Sequence, residues 1–501
     1  MIYQKSRIRF RDPKPGSAFG SFGRWQHGWS VEAGDGEDAS QALLRLPGDA
    51  MTMGGEIGLG HNPYTSSRAA FERAKQVFPG GTTRITVPRR PLPVYMASGK
   101  GAWLTDVDGN CYLDFNNNFT TLIHGHAFPP VVEAVEQQIR QGACFANPTS
   151  YEVALAEILC ARVPVIERLR FVNTGTEAVM FAVKAARAIT GRTKIAKFEG
   201  AYHGAYDWVS VNREQDRDAG TAGAAVGEAQ VNGIPASVLE EVLLLPFNDA
   251  DATAARLEAH AGELAAVIID LMPSRAGLIP VEPAYLEALC ALTKRQGTLL
   301  ICDEVLNFRQ GPGGAVGRFG IEPDLVVLGK IIGGGLPVGA IGGPAHHMEV
   351  FDNSAGDPSL PQGGTFSANP LSMVAGIASM NALDAAAFDY LEGLGNKVRD
   401  GLREAARRRG LPVQITGMGS LFRVHLKAKA PSSYREARPT PREAVLLESI
   451  GQALLEKGVV MPMNSSGACS TPMTETDIEF FLDAMGRCLD EKAKELAELR
   501  L

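Results

Sequence analysis

The chain has 501 residues, of which 45% are hydrophobic and 21% are charged, and its formal net charge is −7. This length allows a large hydrophobic core and more than one domain. Because the charged residues form no basic clusters, we expect no nucleic-acid-binding role. The apolar runs are shorter than the roughly eighteen residues that a membrane-spanning helix needs, so no membrane span is predicted.

The seven cysteines are odd in number and scattered along the chain. We expect them to be free thiols in a reducing compartment, which favours the cytoplasm. The sequence contains no C-x-x-C pair and no H-E-x-x-H helix. His124 and His126 are close in sequence, but no motif supplies a third ligand, so no metal site is predicted.

Residues 1–60 differ in composition from the rest of the chain. A basic start is followed by Trp25 and Trp29 and then by an acidic patch. This stretch lacks the apolar core of a secretory signal, so it is interpreted as a flexible extension. Met51 and Met53 are alternative translation starts, and the two tryptophans leave open that the extension docks onto the folded body.

The folded part is predicted to begin near Ser66 with a helix that ends at Pro79. Two apolar strands then flank Asp108 and Gly109, a pair typical of a β-hairpin turn. Further along, 169–173 is a predicted strand that is followed by Thr174-Gly175-Thr176-Glu177 and a helix. A strand, a turn of small residues and a helix N-terminus together form an anion site.

Residues 211–237 are rich in Gly and Ala and have no clear period, which is typical of a functional loop or lid. A strand at 264–270, a helix at 283–296 and two further buried strands follow. This alternation predicts an α/β fold with a mainly parallel sheet and helices on both faces.

The two further strands end in chemically active residues. One strand ends at Asp303, and the apolar run from Asp324 to Gly329 delivers Lys330. An open parallel sheet keeps its ligand crevice at the carboxyl ends of its strands. A lysine at such a place usually works as a neutral amine because desolvating an ammonium is costly.

A lysine that reaches from the strand end to the surface is the alternative interpretation of Lys330. The arrival of Asp303 at the same edge favours a pocket for a phosphorylated aromatic aldehyde. In that pocket Gly175 and Thr176 would hold the phosphate, Asp303 would keep a ring nitrogen protonated, and Lys330 would form an imine.

After Asn369 the alternation of buried strands and helices gives way to longer predicted helices with short strands between them. Helices are predicted from about 372 to 409 and from 443 to 457, with strands near 413–415 and 421–425. A closing helix is predicted to start with Thr476 and Glu479 as a capping box.

Five motifs, in this order, resemble those of the class III aminotransferases, which are pyridoxal-phosphate enzymes with the aspartate-aminotransferase (type I) fold. The resemblance extends from about Ser66 to the C-terminus. The matching segments are Asn173-Thr174-Gly175-Thr176-Glu177-Ala178, Gly200-Ala201-Tyr202-His203-Gly204, Asp303-Glu304-Val305, Gly329-Lys330-Ile331-Ile332-Gly333-Gly334-Gly335-Leu336-Pro337 and Gly364-Thr365-Phe366-Ser367-Ala368-Asn369-Pro370.

The resemblance implies catalytic roles for Lys330, which would form the internal aldimine and shuttle protons, and for Asp303, which would hold the pyridinium proton. It also implies that Tyr202 and Val305 pack on opposite faces of the cofactor ring. The remaining implied cofactor-binding residues are Gly175, Thr176, His203 and Thr365.

Thr365 would reach the phosphate of the neighbouring subunit, so the resemblance implies a homodimer with active sites at its interface. It also implies a division of the chain into a large cofactor-binding domain at 121–370 and a smaller α+β domain. The smaller domain would combine residues 61–120 with 371–501.

The amino-acid sequences of the motifs are most similar to those of glutamate-1-semialdehyde aminomutases, whereas the residues that precede Arg84 in the sequence are more similar to β-phenylalanine aminotransferases. In the latter the corresponding arginine grips the substrate carboxylate, a task that suits a guanidinium fork. A solvated loop arginine is the alternative for Arg84, and Arg89, Arg90, Arg275 and Arg309 are competing candidates.

We therefore favour an aminotransferase that moves an amino group between an amino acid, including β-amino acids, or an amine and a keto acid. The aminomutase is the second hypothesis, and a non-catalytic pyridoxal-phosphate-binding protein is the third. Relatives carry Glu-Pro shortly after the strand predicted at 264–270, whereas this chain continues from Asp270 to Leu271. The resemblance therefore does not assign the residues of that part of the substrate pocket.

Overall fold

The computed structural model describes residues 64–87, 92–212, 228–229 and 233–500. The predicted extension at 1–60, Arg89, Arg90 and most of the predicted loop at 211–237 lie outside the described residues. Among the described helices, no single one is long and apolar enough to cross a membrane, and one pair bent by 78° passes that test by length and composition alone.

The described helices are of ordinary length for a large α/β protein. In chain order they are α1 Thr65–Ala74, α2 Asn117–Thr120, α3 Pro129–Ile139, α4 Ser150–Arg162, α5 Gly175–Thr190, α6 Ala236–Glu240, α7 Ala250–Ala259, α8 Pro283–Gln296, α9 Gly314–Phe319, α10 Ala345–Met348, α11 Pro370–Asn381, α12 Ala385–Arg408, α13 Tyr434–Ala437, α14 Pro441–Glu456, α15 Glu475–Glu491 and α16 Ala493–Ala497.

The described strands are mostly four to six residues long. In chain order they are β1 Met96–Lys100, β2 Trp103–Asp106, β3 Cys111–Asp114, β4 Arg168–Val172, β5 Lys194–Phe198, β6 Val211–Asn212, β7 Glu228–Ala229, β8 Val242–Leu245, β9 Leu264–Ile269, β10 Leu299–Asp303, β11 Leu325–Gly329, β12 Gly339–Gly343, β13 Gln414–Thr416, β14 Leu421–His425, β15 Val459–Val460 and β16 Ser466–Ala468.

The central sheet has seven strands in the order β4-β12-β11-β10-β9-β5-β8. Its pairs are parallel from β11 to β8, whereas β12 runs antiparallel to both of its neighbours. Every residue of β9, β10 and β11 is buried, as expected for strands covered on both faces. The predicted mainly parallel α/β fold is confirmed.

Two smaller sheets involve the ends of the described chain. The order β1-β2-β3-β15 joins the N-terminal hairpins to a strand near the C-terminus, and β13-β14-β16 lies wholly within the C-terminal part. The turn at Asp108 and Gly109 links the antiparallel strands β2 and β3, as predicted. The domain limits at 120 and 370 stay a prediction.

The start of α15 differs from the prediction. Its N-cap is Thr474, and Asp477 supplies the reciprocal bond of the capping box. The prediction of Thr476 and Glu479 was wrong. Thr474 with Asp477 and Thr476 with Glu479 both place an acidic residue three positions after a threonine, so the sequence pattern fits either pair. The choice between them depends on where the preceding chain leaves the extended conformation.

Candidate active site

Two adjacent strands bring the predicted acid and lysine to one edge of the central sheet. β10 ends at Asp303 and β11 ends at Gly329, immediately before Lys330. The strands are parallel neighbours, with Asp303 in register with Val327. Because carboxyl ends of parallel strands meet at the same edge, Asp303 and Lys330 lie at one edge of the sheet, where open parallel sheets bind their ligands.

Lys330 sits in a strained backbone conformation. Its φ is 49°, in the left-handed region that non-glycine residues rarely adopt. Part of the residue is open to solvent, but protein surrounds the amine. This burial lowers the pKa of Lys330, while the nearby carboxylates of Asp303 and Asp270 act in the opposite direction. Strain of this kind is often found at functional sites.

Asp303 is held by two hydrogen bonds. Its Oδ1 accepts from the backbone amide of Val305 at 3.0 Å, and its Oδ2 lies 2.7 Å from Nδ1 of His203. The side chains of Asp303 and His203 are almost completely buried. Burial lowers the pKa of His203 although Asp303 opposes this shift, so the ring is neutral and donates from Nδ1.

The start of α5 leaves backbone donors free. Thr174 caps the helix by accepting from the amide of Glu177 at 3.1 Å. Within the part of the chain that the structure describes, the amides of Gly175 and Thr176 have no hydrogen-bond acceptor. Free amides at the N-terminus of a sixteen-residue helix suit a phosphate.

Small residues bring the remaining segments close together. A Cβ on Gly204, whose φ is +97°, would come within 2.5 Å of Oγ1 of Thr176. A Cβ on Gly175 would meet both Cγ atoms of Val305 at 3.0 Å, and one on Gly329 would meet Val305 at 3.3 Å. Val305 therefore lies between the start of α5 and the strand end that carries Lys330.

The residues at this edge fit pyridoxal phosphate. The free amides can receive the phosphate, Asp303 retains lone pairs for a protonated ring nitrogen, and Lys330 provides the amine. The Nε2 atom of His203 is buried and has no partner among the described residues. An unpaired buried polar atom of this kind is costly unless a further group completes the site.

Tyr202 is 45% exposed and has an arginine against its ring. The Cζ atom of Arg275 lies 3.8 Å from the ring centroid, which is close for a cation–π contact. A tyrosine ring has two faces, so this contact leaves one of them for another group.

Arg84 is exposed and lies beside an unusual turn. Its Nη1 donates to Oδ1 of Asn118 at 3.0 Å, and its Cζ is 5.7 Å from the ring of Phe119. All four residues of α2 have positive φ, between 48° and 70°. A left-handed turn without glycine is strained, so α2 is another candidate for a functional element.

Arg309 is almost fully buried, and its side-chain donors are already hydrogen-bonded to protein oxygens. It donates to Oγ of Ser420 at 2.9 Å, to the carbonyl of Thr120 at 3.2 Å and to the carbonyl of Cys469 at 2.6 Å. These bonds connect the strained turn to the C-terminal part of the chain. Arg309 is therefore a poor candidate for binding a substrate carboxylate.

Thr365 is exposed on the segment before α11. It lines an open cavity of about 490 Å³ together with residues 144–149 and 367–370. Phe145, which is 49% exposed, lines this cavity, and Phe366, which directly follows Thr365, is 58% exposed.

Three buried ionisable residues near the site were not given a role by the sequence. Burial, reinforced by Asp303, raises the pKa of Asp270 well above its usual range. Burial raises the pKa of Glu304 to about 7 and lowers that of Lys197 to about 7. A charged residue inside a buried strand, as Lys197 is in β5, or directly after one, as Glu304 is after β10, is the signal that could have identified them.

These residues are held by specific hydrogen bonds. Asp270 accepts from the amide of Met272 at 2.9 Å and from the side chain of Asn307. Glu304 accepts from the amides of Ala315 and Val316 at the start of α9.

The two histidines considered as metal ligands have other partners. His124 contacts the carbonyl of Ser379 and the hydroxyl of Thr471, whereas His126 pairs with Asp114 at 2.7 Å. Over the described ranges, no group of three or more His, Cys, Asp or Glu residues is arranged to hold a metal ion.

The fold and the residues at the ends of β10 and β11 are those of the pyridoxal-phosphate-dependent transferases. The sequence model of the class III aminotransferases matches residues 85–474, so the chain belongs to this family. Enzymes of this family use pyridoxal phosphate, and the predicted cofactor is thereby confirmed.

The comparisons include relatives with two activities. A glutamate-1-semialdehyde 2,1-aminomutase of Methanothermobacter thermautotrophicus is 38% identical over 80% of this chain and 93% of its own. The crystal structure of an omega-transaminase from Sphaerobacter thermophilus is 47% identical, with a TM-score of 0.83 over 86% of this chain and 98% of that one.

A solved β-phenylalanine aminotransferase from Variovorax paradoxus is 32% identical. Its TM-score is 0.77, and the match covers 86% of this chain and 94% of that one. Both enzyme types suggested by the motifs are therefore represented among the relatives.

Proposed function

We propose that this enzyme is an aminotransferase that moves an amino group from an amino acid, including β-amino acids, or an amine to a keto acid. The placement of Lys330 beside Asp303 at one sheet edge is the observation that carries this proposal. The 47% identity to a solved omega-transaminase supports transfer between two substrates over the intramolecular reaction of the aminomutases.

Each cofactor-binding residue has a chemical task in this proposal. The amides of Gly175 and Thr176 bind the phosphate, and Tyr202 and Val305 enclose the ring. Pyridoxal phosphate, when bound, supplies an aldehyde that combines with amines and an electron-poor ring that withdraws electrons from the substrate carbon.

Lys330 holds the cofactor through Nζ and moves a proton to and from the substrate carbon. Its lowered pKa supports this role because a neutral amine is both a nucleophile and a base. Asp303 keeps the proton on the ring nitrogen, and His203 orients Asp303 through the bond from Nδ1. Arg84 binds the carboxylate of the amino donor.

We also infer a homodimer in the cytoplasm. The exposed side chains of Phe145, which lines the cavity beside Thr365, and of Phe366, which follows Thr365 in the chain, support a subunit interface there, since exposed apolar side chains often mark one. In the dimer Thr365 would reach the phosphate of the partner's cofactor. All seven cysteines of the chain are described and are free thiols, which suits a reducing compartment.

The test is an assay of the purified enzyme, loaded with cofactor, against α-amino acids, β-amino acids and simple amines with pyruvate or 2-oxoglutarate. Multiple turnovers with a donor and an added keto acid are expected. Conversion of glutamate semialdehyde to 5-aminolevulinate with no transfer to any keto acid would establish the aminomutase instead. Cofactor binding without turnover of any substrate would favour the non-catalytic hypothesis.

A further inference from the structure

The short helix α13, in the C-terminal part of the chain, contacts two turns beside the active site. One turn, at 199–204, follows β5 and carries Tyr202, and the other, at 274–277, carries Arg275. The guanidinium of Arg275 lies on the ring of Tyr202, so the two turns meet at that ring. Three residues of α13 make the contacts, and we call them the α13 clasp: Tyr434, Arg435 and Ala437.

The clasp holds the first turn through an ion pair. Nε and Nη2 of Arg435 donate to the two carboxylate oxygens of Glu199 at 3.1 and 3.0 Å, across 236 positions of the sequence. The side chain of Glu199 is 5% exposed, whereas that of Arg435 is 60% exposed. Arg256 is also near Glu199, but at 3.9 Å. Arg435 is therefore the closer compensation for a buried carboxylate, and its two parallel bonds fix the direction of that carboxylate as well as its distance.

Close packing brings the clasp against the backbone of both turns. A Cβ on Gly200, whose φ is +74°, would lie 2.2 Å from Cδ2 of Tyr434. A Cβ on Gly277, whose φ is +108°, would lie 2.6 Å from Cβ of Ala437. Since only glycine leaves room at both contacts, α13 lies directly against the two turns, and a displacement of the helix would release both of them.

Tyr202 depends on its turn for its position. Its side chain is 45% exposed, and one face of its ring is taken by Arg275. The carbonyl of the preceding residue, Ala201, accepts a hydrogen bond from the buried amine of Lys197 at 3.1 Å. The turn is thus held by Lys197 on one side and by Arg435, through Glu199, on the other. A half-exposed ring on such a turn is oriented by the backbone that carries it.

We propose that the α13 clasp positions Tyr202 against the cofactor ring and that the bond between Arg435 and Glu199 is its principal contact. This inference rests on the proposed function, in which Tyr202 encloses the ring. Arg435 acts through Glu199 and is therefore a positioning residue. By holding the turn before the cofactor arrives, it reduces the conformational freedom that binding would otherwise remove.

The test measures the binding of pyridoxal phosphate to the apoenzyme, with the Kd and the visible circular dichroism of the bound cofactor as readouts. Arg435→Gln is expected to raise the Kd at least about fivefold and to weaken the dichroic band, because it removes both charged bonds to Glu199. Arg435→Lys, which keeps the charge but loses the fork, should fall between wild type and Arg435→Gln. Arg442→Gln, at an exposed arginine of α14 that pairs with Glu498, is the matched control and should bind the cofactor as wild type does.

A double variant separates positioning from a merely structural role. If Arg435 acts through Tyr202, Arg435→Gln should raise the Kd less than about twofold when Tyr202→Ala is already present. The Tm of each apoenzyme shows whether the variant is folded, and Arg435→Lys carries the comparison if Arg435→Gln is not.

The inference is wrong if the Arg435 variants bind the cofactor as wild type does. It is also wrong if Arg435→Gln raises the Kd by the same factor with and without the ring of Tyr202. If Tyr202→Ala alone leaves the Kd unchanged, the proposed role of Tyr202 fails together with the inference. If wild type transfers no amino group to any acceptor, the proposed function fails, whereas the Kd values still report on the clasp.

Discussion

Nδ1 of His203 and Oδ2 of Asp303 lie 2.7 Å apart, and both side chains are buried although 100 positions separate them in the sequence. Burial lowers the pKa of His203, and the neutral ring donates a hydrogen bond from Nδ1 to the carboxylate of Asp303. An anionic Asp303 is what the proposed role at the ring nitrogen requires. The bond is therefore the most direct structural support for the assignment of Asp303.

Asp303→Asn should reduce kcat by at least two orders of magnitude, which corresponds to about 3 kcal/mol of barrier, because a neutral amide cannot hold the ring proton. His203→Gln should lower kcat less, because Asp303 keeps its charge and its bond from Val305. The double variant tests the coupling: if His203 acts through Asp303, its substitution has little further effect in Asp303→Asn. A kcat for Asp303→Asn within tenfold of wild type would contradict the role of Asp303.

Lys330→Ala should abolish covalent attachment of the cofactor and all measurable transfer. Borohydride reduction of the loaded wild-type enzyme followed by peptide mass spectrometry should locate the cofactor on Lys330. Lys294→Ala, at an exposed lysine of α8, is the control and should be labelled normally. Label on another lysine in wild type would refute the assignment.

Gly204→Ala should weaken cofactor binding because the new Cβ would come within 2.5 Å of Oγ1 of Thr176. Gly191→Ala is the matched control, since Gly191 also has a positive φ of +67° but has no atom within 4 Å of a new Cβ. Both variants should lose about 1–2 kcal/mol of stability from the backbone conformation. Only Gly204→Ala should raise the Kd for pyridoxal phosphate, measured by reconstituting the apoenzyme. Equal Kd values would show that the contact between Gly204 and Thr176 does not shape the phosphate site.

Arg84→Ala should raise KM for carboxylate-bearing donors at least tenfold and leave KM for simple amines nearly unchanged. The reason is that only the former have a carboxylate to lose, and a charged hydrogen bond of this kind contributes about 1.5–3 kcal/mol. Steady-state kinetics with a β-amino acid and the matching decarboxylated amine separates the two cases. An equal change in both KM values would mean that the residue acts through the strained turn α2, which its side chain contacts at Asn118.

Lys197→Met should change how stability depends on pH. Burial lowers the folded-state pKa of Lys197 to about 7, below the usual lysine value of 10.5. The folded protein therefore binds fewer protons than the unfolded chain between these values, so this group increases the free energy of unfolding as pH rises and decreases it as pH falls towards 7. Relative to Lys197→Met, wild type should gain about 2 kcal/mol between about pH 7.5 and 9, at roughly 1.4 kcal/mol per pH unit. Tm values of the apoenzymes across this range provide the measurement, and a constant difference in Tm would contradict the shift.

The sequence by itself determined several strands of the central sheet, among them β4, β9, β10 and β11, and the residues at their ends. Apolar runs that stop at Asp303 and Lys330 must place both side chains at the carboxyl edge once the strands are parallel, and this is what β10 and β11 do. The turn of small residues before α5 is equally local, because a cap and two free amides need only neighbouring residues.

The tertiary structure alone decided which distant residues meet. No periodicity could show that His203 bonds to Asp303, that Arg275 stacks on Tyr202, or that Arg309 is occupied by Thr120, Ser420 and Cys469. The same applies to pKa values, since those of Asp270, Glu304 and Lys197 are shifted mainly by burial. Burial depends on how whole elements pack, and a local pattern of residues does not contain that information.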